Sequence, residues 1–168
     1  MIRGFNGKIP KIAKSVFVSE AAYVIGDIEI GDNSSVWPGA VIRADFAKIK
    51  IGSNSKVEDG TVVHSAVPME IGDNVTFGHS VVMHGSRVGN NTLIGNNATI
   101  LDNVEIGSFC IIGAGSLVSQ GMKILDFSFV VGVPAEVKGK VSPEQLERLQ
   151  GSSSAYAELA RQYKEHGL

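Results

Sequence analysis

The chain has 168 residues, 17 acidic against 15 basic, a formal net charge of −2, one cysteine and 43% hydrophobic side chains. That is enough chain for one globular domain with a sizeable core. Scattered Lys and Arg exclude a nucleic-acid footprint, the lone Cys110 excludes an internal disulfide, and no apolar run approaches the roughly 20 residues of a membrane helix. The N-terminal residues Met1–Gly7 lack the apolar stretch of a signal peptide, so the expected compartment is the cytoplasm. Twenty glycines with only 7% aromatics point to many short aliphatic strands joined by tight corners.

From Val24 onward aliphatic residues recur every six positions: Val24, Ile30, Val36 and Ile42. The series resumes after an insertion at Ile51, Val57 and Val63, and after another at Ile71, Phe77 and Met83. A five-residue step leads to Val88, Ile94, Ile100, Ile106, Ile112, Val118, Ile124 and Val130. Period six fits neither an α-helix nor a hairpin ladder, but it suits a parallel β-helix in which each hexad supplies one flat side. The aliphatic residue points inward. A small residue four places on, such as Ser34, Ala40, Thr61 or Ala98, fills the corner, and Cys110 falls in that packing position. Gly, Asn and Asp accept the backbone angles of the corners. The repeat resembles that of left-handed β-helix proteins, in which three hexads close one coil, so eighteen hexads make about six coils.

Three of the four histidines lie within this stretch. His64 follows Val63 and His84 follows Met83, and three hexads separate them, so the two stack on adjacent coils. That spacing, roughly 4.7–4.9 Å, suits two imidazoles on one ion. His79 follows Phe77 by two and belongs to another side or corner of the prism. It cannot readily join its own chain's pair, but a neighbouring chain in a threefold assembly could supply it. The same count places Arg43 one coil below His64 and Asp59 one coil below His79. If His79 meets the stacked pair across an interface, Asp59 should meet Arg43 there, with Asp45 a further member of the network.

Past Val130 the pattern ends. Ser142-Pro143-Glu144-Gln145 reads as a capped helix start, and Leu146, Leu149, Tyr156, Leu159 and Tyr163 form an apolar stripe on two short helices broken near Gly151–Ser154. The expected organisation is a β-helix over residues 1–140 and a helical segment over 141–168 packed along it. Trp37 reads as packing at an edge, and His166 as a solvated tail residue.

The segments Arg43-Ala44-Asp45, Val57-Glu58-Asp59-Gly60 and Gly78-His79-Ser80-Val81-Val82-Met83-His84-Gly85 resemble the gamma-class carbonic anhydrases over essentially the whole chain. The resemblance implies a left-handed β-helix and a homotrimer with a metal at each subunit interface. It places the metal ligands at His64, His79 and His84, the interface Arg and Asp at Arg43, Asp45 and Asp59, and a tyrosine near the metal at Tyr156. Two glutamates that the family's active form carries have no counterpart here. The loop after His64 holds only Glu70, and Phe46 stands where an acid follows the Arg-Ala-Asp motif. Glu58 replaces a glutamine.

The implied activity is hydration of carbon dioxide to bicarbonate by water that a Zn2+ ion, or Fe2+ or Co2+, activates near neutral pH. Without those acids, proton transfer is expected to limit the rate. A hexapeptide acyltransferase and a non-catalytic, metal-stabilised trimeric scaffold are the alternatives.

Overall fold

The computed structural model describes residues 1–167, the side chains of residues 150–155 excepted. The chain forms a parallel β-solenoid with three flat faces, and its inward residues are those of the hexad series. On the first face Val24, Ile42, Val63, Met83, Ile100 and Val118 pair rung on rung. On the second face Ile12, Ile30, Ile51, Ile71, Val88, Ile106 and Ile124 do so. On the third face Val18, Val36, Val57, Phe77, Ile94, Ile112 and Val130 do so. All belong to one buried core, apart from half-buried Ile12 and Val18 at its lower end.

The solenoid therefore begins one coil earlier than the expected six. Ile12 and Val18 continue the period of six below Val24, but Ile12 lacks the glycine that follows Ile30, Ile51, Ile71, Val88 and Ile106 on the same face. At the upper end Ala135–Lys140 folds back antiparallel on Ser128–Gly132 and ends the parallel stack.

The corners have one recurring chemistry. The third residue after the inward aliphatic has positive φ, as at Asn33, Asn54, Asn74, Asn91 and Asn97. Asn tolerates this conformation because its short polar side chain bonds locally. Phe109 and Phe127 occupy the same position, where a bulky residue is costly, and their rings stack in parallel with centroids 4.9 Å apart. Buried hydroxyls one residue further on stitch the coils together. Thr61 Oγ1 donates to Gly78 O at 2.7 Å and accepts from Val81 N at 3.1 Å. Cys110 occupies the equivalent position, fully buried as its place in the repeat predicts.

The residue before each inward aliphatic points outward, and the resulting columns distinguish the faces. On the second face the column is Lys11, Glu29, Lys50, Glu70, Arg87, Glu105 and Lys123, alternating in sign at each rung. Each pair is worth little alone, but the column neutralises itself while staying hydrated. On the first face the column is Tyr23, Val41, Val62, Val82, Thr99 and Leu117, which is largely apolar. On the third face it is Lys56, Thr76, Leu93, Ile111 and Phe129.

A single helix, α1 (Pro143–Glu165), follows the solenoid, so the two short helices expected from Gly151–Ser154 are one run. The capping box is formed as the sequence indicates: Gln145 N donates to Ser142 Oγ at 3.3 Å, and Ser142 N donates to Gln145 Oε1 at 2.8 Å. An internal glycine costs a helix only about 1 kcal/mol. Aromatic contacts beyond the glycine offset that cost. Beyond it, Trp37 and Phe17 pack against Tyr163 with centroids 5.2 and 5.5 Å away, and Trp37 meets Tyr156 at 5.7 Å. Continuity also sets the helix face. Tyr156, Ala160 and Tyr163 face this cluster, whereas Leu159, expected on the apolar stripe, is 39% exposed. Among the described residues no helix is long and apolar enough to cross a membrane.

Candidate metal centre

The histidine register follows from the ladder. Val63 pairs with Met83, so His64 and His84 leave adjacent rungs of the first face together. Their rings meet edge to face with centroids 5.0 Å apart, and His64 Nδ1 lies 3.1 Å from His84 Nε2. The remaining nitrogen of each ring faces a carboxylate: His64 Nε2 is 3.0 Å from Asp45 Oδ1, and His84 Nδ1 is 2.9 Å from Asp102 Oδ1. A carboxylate on one ring nitrogen fixes the tautomer and frees the other as a donor. Two donors bonded at 2.0–2.1 Å to one tetrahedral zinc-type ion sit roughly 3.3 Å apart. The pair therefore fits an ion without large movement.

Asp45 and Arg43 project from the long strand Val41–Ile51, which the three-residue insertion after Ile42 makes possible. Arg43 pairs in register with His64, as the hexad count requires, and its guanidinium donates to Asp45 Oδ2. Burial opposes ionisation of Asp45, but the hydrogen bonds from Arg43 and His64 outweigh it and hold the carboxyl below the usual range. Gly26 supports this turn from below. Its φ is +97°, and a Cβ there would stand 2.2 Å from Ala44 O.

His79 lies at the corner after the third face. Its backbone N donates to Asn96 Oδ1 at 3.1 Å, and Ser80 N beside it donates to Asp59 O at 2.9 Å. Both ring nitrogens face acids of the coil below: Nδ1 is 3.2 Å from Asp59 Oδ2 and Nε2 is 3.3 Å from Glu58 Oε2. Asp59 thus lies beneath His79, as the repeat predicts. Within the chain Arg43 contacts Asp45, and Asp59 contacts His79. Among the described residues no three His, Cys, Asp or Glu side chains of one chain form a metal-holding group.

Glu58 and Lys56 flank Val57 on the outer side of the third face, yet both are buried, at 6% and 4% exposure. Tyr156 of α1 covers them. Lys56 Nζ sits 4.7 Å over its ring. Burial, then the charge and hydrogen bond of Glu58, push the Tyr156 hydroxyl above its ordinary pKa. Burial lowers the Lys56 pKa, and the nearby Glu58 charge opposes that. A cleft of about 450 Å³ opens beside this group, lined by Lys56, Glu58, Leu93, Ile111, Arg148 and Tyr156.

Sequence reasoning singled out Glu58, Asp59, Arg43, Asp45 and the three histidines, but it missed Asp102 and Lys56. Counting three hexads from Met83 to Ile100 sets Leu101 above His84 and leaves Asp102 one residue on, within reach of the ring. Lys56 gave no signal, because a lysine before an inward aliphatic is exposed elsewhere in the repeat, as at Lys50 and Lys123. Phe46 is 74% exposed, its ring centroid 5.8 Å from that of His64. Glu70 stands in the charge column of the second face, between Lys50 and Arg87, away from the histidine face.

The family model that matches is the bacterial transferase hexapeptide (six repeats), at residues 68–102 and 85–120. "Gamma carbonic anhydrase 2, mitochondrial" from Arabidopsis thaliana is 40% identical over 92% of this chain and 58% of its own length. The chain thus spans rather more than half of that relative. "Carbonic anhydrase" from Geobacillus kaustophilus is 37% identical, covering 98% of this chain and 91% of that one. The crystal structure of a hexapeptide transferase family protein from Anaplasma phagocytophilum superposes with a TM-score of 0.93 at 33% identity, covering 96% of this chain and 97% of that one. With near-complete mutual coverage at that identity, this chain belongs to the gamma carbonic anhydrase family of hexapeptide-repeat proteins.

Proposed function

We propose that the protein catalyses reversible hydration of carbon dioxide to bicarbonate at a divalent metal site completed between two copies of the chain in a homotrimer. The observation that carries this reading is the pair of nitrogens His64 Nδ1 and His84 Nε2 at 3.1 Å, each ring backed by a carboxylate. Two imidazoles alone hold an ion weakly, and His79 of a neighbouring copy is the third donor of the right chemistry. Zn2+, Fe2+ and Co2+ all suit such a set. When bound, the ion acts as a Lewis acid that makes water nucleophilic near neutral pH.

The faces support the assembly. The first face presents an apolar column and exposed Phe46 beside the histidines, the surface that gains most from burial against another copy. The self-neutralised column of the second face belongs in water. In this arrangement Asp45 and Asp102 orient the imidazoles, Arg43 holds Asp45, and Asp59, half-exposed beside His79, meets Arg43 of the adjoining copy. Tyr156 holds Glu58 beside His79.

No acidic side chain replaces Phe46 at the mouth, and Glu70 faces elsewhere, so protons leave slowly. Hydration is modest and rises with imidazole-type buffers small enough to enter. A stopped-flow hydration assay on metal-loaded, anaerobically prepared protein tests the reading. Turnover that requires metal and climbs with buffer concentration supports it, and metal-loaded trimers without turnover refute it in favour of a scaffold. The acyltransferase reading draws on the transferase name of the Anaplasma relative and on the cleft beside α1. It requires no bound metal, so metal analysis separates it.

A further inference from the structure

We propose that Glu58 is a fourth protein ligand of the shared ion, making the site three imidazoles and one carboxylate; this rests on the metal reading above. An imidazole has two ring nitrogens, and an ion takes one. In His64 and His84 the outer nitrogen faces an aspartate and the inner nitrogens face each other. In His79 both nitrogens already face carboxylates, Glu58 at Nε2 and Asp59 at Nδ1. An ion on either nitrogen therefore arrives beside an anionic oxygen.

The two acids differ in freedom. The Asp59 side chain is 49% exposed, and it matches Asp102, 55% exposed on His84, as a hydrated group that orients a ring. The Glu58 side chain is 8% exposed. Tyr156 bonds it, and buried Lys56, itself over the Tyr156 ring, attracts it by charge, so it is restrained when an ion reaches Nε2. Its Oε2 stands 3.3 Å from Nε2, the separation of two donors on one ion with bonds of about 2.0–2.2 Å. Each half of the site thus presents two donors already at ligand spacing: His64 with His84, and His79 with Glu58. Lys56 is the positioning residue, since its charge compensates a carboxylate buried under α1.

A carboxylate in the set narrows the room for water and favours ions that accept a fifth ligand and oxygen donors. It provides a structural reason for modest hydration beyond the missing acids.

Cobalt(II) absorption tests this in the assembled full-length protein, because four-coordinate cobalt absorbs far more strongly in the visible than five-coordinate cobalt. The wild type with one Co(II) per chain should show the weaker bands, and Glu58→Gln should convert them to the intense ones. Because Glu58→Gln removes an anionic charge near buried Lys56, the double variant Lys56→Met with Glu58→Gln is measured beside it and should give the same intense spectrum. Unchanged spectra in both variants with cobalt bound would overturn the assignment. So would a shift in Asp59→Asn alone, which would place the ion on Nδ1. A wild-type protein that takes up no cobalt would defeat the metal reading itself, a result distinct from either spectrum.

Discussion

Replacing a ring-orienting aspartate by asparagine keeps the shape of the side chain and removes its charge, so it isolates what the carboxylate does for its imidazole. Such partners typically govern metal affinity by about 10- to 100-fold, or roughly 1.4–2.7 kcal/mol. The two aspartates here should sit at opposite ends of that range. Asp45 is 21% exposed and held by Arg43, so its charge reaches His64 little screened. Asp102 is 55% exposed on His84, and solvent screens most of its effect. Asp45→Asn should therefore weaken metal binding by about 100-fold and Asp102→Asn by about 10-fold, measured by chelator competition at fixed ionic strength. Light scattering on each variant confirms that the assembly is intact. An Asp102→Asn loss equal to or larger than that of Asp45→Asn would refute the reasoning, as would no loss in either.

Three further outcomes follow from the fold. Gly26→Ala forces a Cβ to within 2.2 Å of Ala44 O at a φ that suits glycine alone, and should cost at least about 2 kcal/mol in urea unfolding. Trp37→Ala removes the ring shared by Phe17, Tyr156 and Tyr163, and should cost about 3–5 kcal/mol and reduce the helical signal in circular dichroism as α1 undocks. Burial raises the Cys110 thiol above its ordinary pKa, so at pH 7 it should resist a thiol reagent until the protein unfolds. Rapid labelling of the folded protein would contradict its place in the core.

The solenoid and the stacking of His64 on His84 were legible because both are matters of register. An inward aliphatic every sixth residue is a demand of the core, and counting rungs carries any residue to its neighbours. The same count placed Arg43 below His64 and Asp59 below His79. What counting could not supply was direction and burial. Lys56 resembles every other lysine in the outward columns, and only α1 lying across the third face makes it buried. Helix continuity failed for a similar reason. Local propensity weighs Gly151 and the serines against a helix, whereas aromatic packing many residues away on Phe17 and Trp37 decides the matter. The earliest coil keeps the aliphatic spacing at Ile12 and Val18, but both are only half-buried at the end of the core and Ile12 lacks the glycine that follows its partner Ile30.

Each metal site, as proposed, takes His64 and His84 from one copy and His79 from another. Mixing His64→Ala chains with His79→Ala chains tests it most directly, because each variant spoils the half that the other retains. Neither variant alone should hold a full complement of metal. Co-assembled, they should regain metal at interfaces where the His64–His84 half of a His79→Ala chain faces the intact His79 of a His64→Ala chain. Mixed trimers, verified by mass, that bind no more metal than the separate variants would contradict the shared site.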